Sequence, residues 1–351
     1  MKLNFCILFD SNFLTLGYTM YTSLQKCCKN FHLYIFAFDD LAYEVLKQLN
    51  LPNVTVIALH EFEDEELLRV KPARTKGEYC WTCTGSTIKY CIEKFQLDHC
   101  TYLDADLYFF GDPETIVREL YDAGKDVLIT GHNYTKKHER ISKITGIYCV
   151  QFMVFKNTVE GMTVLNWWRN ACIDWCYNRI EDGKFGDQKY LDDWPSKFSC
   201  VHVCTLPGAG IAPWNAADYD VVGQPSQGHP IQLVNRKKKV ACELIFFHFH
   251  KFRLFENKVI WILGYRLPKK FMSHVYTPYT HSCLAHYDYL HRFNQNIRLP
   301  KKSSWLPCSF FSKTLFFLIN IPYSLWKERQ LIIEFSNYHV YKINKKIKRH
   351  D

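Results

Sequence analysis

The sequence predicts an α/β fold built on a mostly parallel sheet flanked by helices. Three observations carry this. Apolar, β-prone runs alternate with helix-period segments along most of the chain. Asp10-Ser11-Asn12, Asp39-Asp40 and Asp104-Ala105-Asp106 all fall where such apolar runs end, and open parallel sheets bind ligands at the carboxyl ends of their strands. Finally, 351 residues with 48% hydrophobic content can bury a large core, in one big domain or two. The 26 Phe, 22 Tyr and 9 Trp exclude a disordered chain.

Taken in order, Leu3–Phe9 reads as a strand. Met1–Phe9 carries a single Lys2 and is too short for a secretory signal. Leu16–Cys28 reads as a helix with Leu16, Met20, Leu24 and Cys27 on one side. Leu33–Phe38 is a second strand, Tyr43–Leu49 a helix and Val54–Leu59 a strand. Cys80–Phe95 is a helix leading into the strand that holds Asp104 and Asp106. Val127–Thr130 and Tyr148–Phe155 are further strands. Glu160–Ile180 is a long amphipathic helix whose Trp168, Cys172, Trp175 and Cys176 belong to the core. There is no GxGxxG and no P-loop, so the usual dinucleotide and NTPase fingerprints are absent.

Charge is unevenly placed. Residues 298–351 hold 11 Lys/Arg against 3 Asp/Glu, a net +8, and the first 297 residues carry only +1 of the total +9. No nucleic-acid-binding motif accompanies the basic tail, which argues against a nucleic-acid partner. The 15 cysteines are scattered through core-like segments and read as reduced thiols of a cytoplasmic protein. Cys80-Trp81-Thr82-Cys83 has CxxC spacing, but no second pair at zinc-ribbon spacing goes with it.

At about 5% Asp, a chain this long contains an Asp-x-Asp about once by chance. The setting of Asp104-Ala105-Asp106 is what matters. Within a strand the two acids share a face. Bare carboxylates so placed repel and lose hydration unless a cation lies between them. Hard divalent ions such as Mn²⁺ or Mg²⁺ take these oxygen ligands and bridge to phosphates. Two later stretches add chemistry. Gly186-Asp187-Gln188 opens a short helix after a Gly-rich turn, and Asp187 is either its N-cap or a cleft residue with Gln188. Asp192 and Asp193 read as a solvated face. In Phe246-Phe247-His248-Phe249-His250, the two histidines share a strand face and precede Lys251 and Arg253, suiting a metal ligand followed by phosphate-binding cations.

Phe9-Asp10-Ser11-Asn12, Tyr102-Leu103-Asp104-Ala105-Asp106, Gly186-Asp187-Gln188 and Phe247-His248-Phe249-His250 resemble, in order and spacing, the landmarks of GT-A fold nucleotide-diphospho-sugar transferases. The likeness is to glycosyltransferases of the glycogenin and lipopolysaccharide galactosyltransferase kind, and it covers about Met1 to Phe255. The resemblance implies a GT-A (Rossmann-like) catalytic domain over 1–297. It implies that Asp10 and Asn12 hold the nucleotide, with Asp104 and Lys251 toward its phosphates. It implies that Asp104, Asp106 and a late histidine ligate Mn²⁺ or Mg²⁺, and that Asp187 and Gln188 lie beside donor sugar and acceptor. His248 fits the motif order, with His250 the alternative. Lys251 stands where the family has Gly, and Gln151 where it has Gly before an apolar strand. Pro213-Trp214-Asn215 resembles an acceptor loop, in which Trp214 either stacks on a sugar or packs in the core.

The function implied is metal-dependent transfer of a hexose from a nucleotide diphosphate sugar to a saccharide or glycolipid, in cell-surface polysaccharide or lipopolysaccharide synthesis. A sugar-nucleotide nucleotidyltransferase would need a Gly-rich phosphate loop that Phe9–Leu16 lacks. A non-catalytic, membrane-bound sugar-binding protein is the other class. In the tail, Trp305–Trp326 carries only Lys313 as a charge and is interrupted by Pro307 and Pro322. With Lys301-Lys302 and Lys345-Lys346-x-Lys348-Arg349 it suggests peripheral attachment to the inner face of a membrane.

Overall fold

The computed structural model describes residues 1–223, 230–255, 259–262, 265 and 267–300. Two compact units are resolved. The first comprises Met1–His250 with Tyr265–Asn296, and the second Lys251–Gly264 with Ile297–Asp351. The tail from residue 301 onward, with its expected membrane role, lies outside the described residues.

The first unit is built on β1 (Leu3–Phe9), β2 (Phe31–Ala37), β3 (Val54–Ala58), β4 (His99–Leu103), β5 (Leu107–Phe109), β6 (Val127–Gly131), β7 (Tyr148–Lys156) and β8 (Val201–Val203). Seven of these form one sheet in the order β3-β2-β1-β4-β7-β6-β8. The β3–β2, β2–β1, β1–β4 and β6–β8 pairs are parallel, whereas β7 runs antiparallel to both β4 and β6. The predicted α/β fold with a mostly parallel sheet is therefore the one observed. β1 and β4 are buried along their whole length, because helices cover both faces.

Period-2 alternation decides what each face touches. Cys6, Leu8, Tyr34, Phe36, Cys100, Tyr102, Met153 and Phe155 meet the helices Lys76–Phe95 and Val159–Asp174 in the main core. On the opposite face, the tilted rings of Phe5 and Phe31 meet, and Phe31 packs edge-on against Tyr21 of the helix Leu14–Cys27. The helix Thr277–Phe293 closes over that helix, with Thr19 hydrogen-bonded to His286.

Element boundaries differ most at two places. The helix expected over Glu160–Ile180 stops at Asp174, so Trp175 and Cys176 follow it in irregular chain. The helix expected from Cys80 starts at Lys76, where Thr75 and Glu78 form a capping box.

Later strands are shorter. β9 (Tyr219–Val222), β10 (Gln232–Asn235) and β11 (Ala241–Glu243) make a small antiparallel sheet. β12 (Phe246–His248) pairs antiparallel with β5. In the second unit, β13 (Phe252–Phe255) pairs with β14 (Val259–Ile262). Lys251 has φ 61°, in the left-handed region where glycine is the low-cost residue. No helix among the described residues is long and apolar enough to cross a membrane.

Candidate active site

β4 delivers the paired acids, but not as a strand. After Leu103 the chain turns, with the Leu107 N–H donating to the Asp104 carbonyl at 3.3 Å, before β5 begins. The expectation that strand alternation aligns Asp104 and Asp106 is corrected here: a turn brings them together. The reason is topological. β5 leaves the main sheet to pair with β12, so the backbone must change direction between the two strands.

The partner strand brings the histidine. His248 N–H donates to the Ile211 carbonyl at 2.9 Å and Phe249 N–H to the Asp106 carbonyl at 2.8 Å, which locks β12 across the turn. His248 Nε2 then lies 3.0 Å from Asp106 Oδ1 and 3.7 Å from Asp104 Oδ2. One ligand atom from each of the three residues lies within 4.8 Å of the others. His250 falls past the end of β12, where its ring meets Trp214 and Tyr265 edge-on. Of the two histidines, His248 joins the acids.

These residues fit a hard divalent ion. Ligand atoms held about 2.0–2.2 Å from one centre are about 3 Å apart when adjacent and about 4 Å when opposite. The electrostatics agree. Burial pushes the Asp104 carboxyl up to about 6, opposed by His248 and assisted by the Asp106 charge. Burial works against a charged His248, yet Asp106 and Asp104 hold its imidazole well above the ordinary histidine value. In the absence of an ion, a proton on His248 fills the cationic position between the acids.

Asp187 and Gln188 sit on a loop set by Gly186, whose φ is 54° and whose N–H donates to the Tyr177 carbonyl. Asp187 is buried. Thr84 donates to its Oδ2 at 3.3 Å and Trp168 Nε1 to its backbone carbonyl at 2.9 Å. Burial, then the nearby Asp104 charge, push its carboxyl up to about 7. Asp187 is not a helix cap; the short helix Lys189–Asp193 is preceded by Gln188, which is half-buried. Asp192, expected on a solvated face, instead accepts from the Ile147 N–H at 2.6 Å and from Lys189 at 2.7 Å.

At the end of β1, Asp10 accepts the Asn12 backbone and side-chain amides at 3.1 and 2.8 Å. Asp39 accepts the Ser11 N–H and hydroxyl through Oδ2, while its Oδ1 caps the helix Asp40–Leu49. Asp39 was legible only as a strand-end acid.

Trp214 and Asn215 are both buried, the packed arrangement of the two that the sequence left open for Trp214. Trp214 Nε1 donates to the His132 carbonyl at 2.6 Å and its ring meets His248 edge-on. Asn215 donates to the carbonyls of His132 and Gly210 and accepts from the Ala212 N–H, holding the loop behind the histidine. Lys251 begins the second unit. Among the described residues one further ligand-like group exists. Cys6, Cys91 and Cys100 cluster within 4.8 Å, fully buried, whereas Cys80 and Cys83 are simply free thiols of the Lys76–Phe95 helix.

The uncharacterized protein YfnD of Bacillus subtilis (strain 168) is 34% identical over 242 residues, which span 68% of this chain and 74% of YfnD. The chain belongs to the YfnD family. A second relative, uncharacterized YfnF of the same organism, is 27% identical over 256 residues, 71% of this chain and 82% of its own. No protein-family model matches the sequence. Among solved structures, galactosyltransferase LgtC in complex with donor and acceptor sugar analogs overlaps 81% of this chain and 96% of its own, at 11% identity and TM-score 0.49. Mouse xyloside xylosyltransferase 1 overlaps 72% and 98%, at 13% identity and TM-score 0.43. The glycosyltransferase GlyE of Streptococcus pneumoniae overlaps 86% and 66%, at 14% identity and TM-score 0.43. The family member described here has a mostly parallel sheet flanked by helices, an Asp-x-Asp turn after its central strand, and a late histidine facing that turn.

Proposed function

We propose that the protein is a metal-dependent glycosyltransferase that moves a hexose from a nucleotide diphosphate sugar to a saccharide or glycolipid acceptor, in cell-surface polysaccharide or lipopolysaccharide synthesis. The observation that supports this most is the convergence of Asp104, Asp106 and His248 beside the buried Asp187. Asp104, Asp106 and His248 would hold Mn²⁺ or Mg²⁺, which when bound supplies Lewis-acid charge against the departing diphosphate. Asp10 and Asn12 would take the nucleoside at the end of β1. Asp187 and Gln188 would face the sugar, aligning the acceptor hydroxyl or stabilising an oxocarbenium-like transition state. Attachment of the 298–351 tail to the inner face of a membrane would bring a lipid-linked acceptor within reach.

A donor-hydrolysis screen over several nucleotide sugars with Mn²⁺ tests the reading. Hydrolysis of one donor, lost in Asp104→Ala/Asp106→Ala, is the expected result. Mn²⁺-dependent nucleoside diphosphate binding that survives Asp104→Ala/Asp106→Ala unchanged would remove it.

A further inference from the structure

The geometry points to Gln151 as a positioning residue that fixes which nitrogen of His248 faces the acids and thereby sets the affinity of the metal site. The inference rests on the metal-site reading above and extends it to a residue the family motif does not contain. Gln151 lies on β7, fully buried, and His248 arrives from β12, 97 residues later.

The direction of each hydrogen bond follows from a group that has no choice. The Cys149 backbone carbonyl can only accept, so Thr130 Oγ1, 3.3 Å away, donates to it. With its proton so used, the Thr130 oxygen accepts from its other neighbour, which makes Nε2 the Gln151 atom 3.2 Å away. Gln151 Oε1 is then the atom that meets His248 Nδ1, at 2.7 Å. A carbonyl oxygen accepts, so Nδ1 carries the proton. On a neutral ring the lone pair is left on Nε2, the atom beside Asp104 and Asp106. The same residue holds the acids from its backbone, since the Asp104 N–H donates to the Gln151 carbonyl at 3.1 Å. One buried side chain and its own peptide thus orient two of the three ligands. A glycine in its place, as in the resembling family, could supply the second contact but not the first.

Partners of this kind fix ring orientation and raise ligand basicity, and their loss costs about 10- to 100-fold in metal affinity. Titration with Mn²⁺, followed by the electron-spin resonance of the free ion, measures this without turnover. Gln151→Met is expected to weaken Mn²⁺ binding about 10- to 100-fold while circular dichroism stays native. Gln151→Glu keeps an acceptor for Nδ1–H and is expected to stay within a few-fold of wild type. Thr130→Val, which removes only the directing hydroxyl, should weaken binding by less than Gln151→Met. In the metal-free protein, the hydrogen-bonded Nδ1 proton of His248 should give a far-downfield resonance that Gln151→Met abolishes. A folded Gln151→Met protein with wild-type Mn²⁺ affinity overturns the proposal, as does absence of that resonance in the wild type. If Mn²⁺ binding instead survives Asp104→Ala/Asp106→Ala, the metal reading fails, and the proton resonance still judges the Gln151 contact by itself.

Discussion

β4 serves two clusters of metal-type ligands, and they differ in everything except number. At its carboxyl end, Asp104 and Asp106 meet His248. Within the strand, Cys100 meets Cys6 of β1 and Cys91 of the Lys76–Phe95 helix. The thiols are fully buried, and burial drives Cys91 and Cys100 well above the ordinary cysteine range, so these two stay protonated; burial also raises Cys6, but hydrogen bonds with Cys100, Cys91 and Thr87 outweigh it and lower that thiol to about 5. The acids reach solvent, with the Asp104 side chain 29% exposed, and carry negative charge that a cation would balance. Ligand count alone therefore does not make a metal centre; access, charge and an oriented acceptor network do.

The largest break in this comparison is Asp104→Ala/Asp106→Ala. Transfer should fall by about 10³-fold or more, and Mn²⁺ binding should vanish in a titration. Asp187→Asn comes next, lowering kcat by about 10²-fold in steady-state assays. It has a second signature in stability. The native Asp187 holds its proton up to about pH 7, whereas an ordinary aspartate releases it near 3.8. The unfolded chain binds fewer protons in between, so the metal-free wild type loses stability as pH rises from 3.8 to about 7. In Asp187→Asn the thermal midpoint should fall less across that window.

Gly210→Ala is a gentler probe. Its φ is 80° and an added Cβ would stand 2.9 Å from Gln151 Nε2, so Mn²⁺ affinity should drop several-fold although no ligand is touched. The smallest effect on activity belongs to the other cluster. Cys6→Ala, Cys91→Ala and Cys100→Ala together should leave kcat and bound metal unchanged, and cost stability by about 1 kcal/mol per site through lost packing. A metal content that depended on these thiols would erase the contrast drawn between the two clusters.

Much of the fold was legible because its strands are buried on both faces and read as continuous apolar runs, as in β1 and β4. The antiparallel insertion of β7 was not, since no local period encodes strand order. The acids, the histidine and the Asp187-Gln188 pair were legible as types in a known order. The turn that aligns Asp104 with Asp106 was not, because it depends on β5 leaving the sheet for β12, which follows more than a hundred residues later. Between the two readings of Trp214 the sequence could not choose for the same reason: a tryptophan beside polar residues gives no local sign of whether it is covered. Gln151 stood out only as a departure from the family, and its use appeared once His248 lay against it.

The two oxygens of Asp39 serve different masters. One fastens the start of the Asp40–Leu49 helix and the other grips Ser11, between the two residues at the mouth of β1. The carboxylate that caps this helix is thus the one that shapes the loop. The nucleotide proposed to bind at Asp10 and Asn12 would meet a loop already tied to that helix, and its capture should be governed by the rate of encounter.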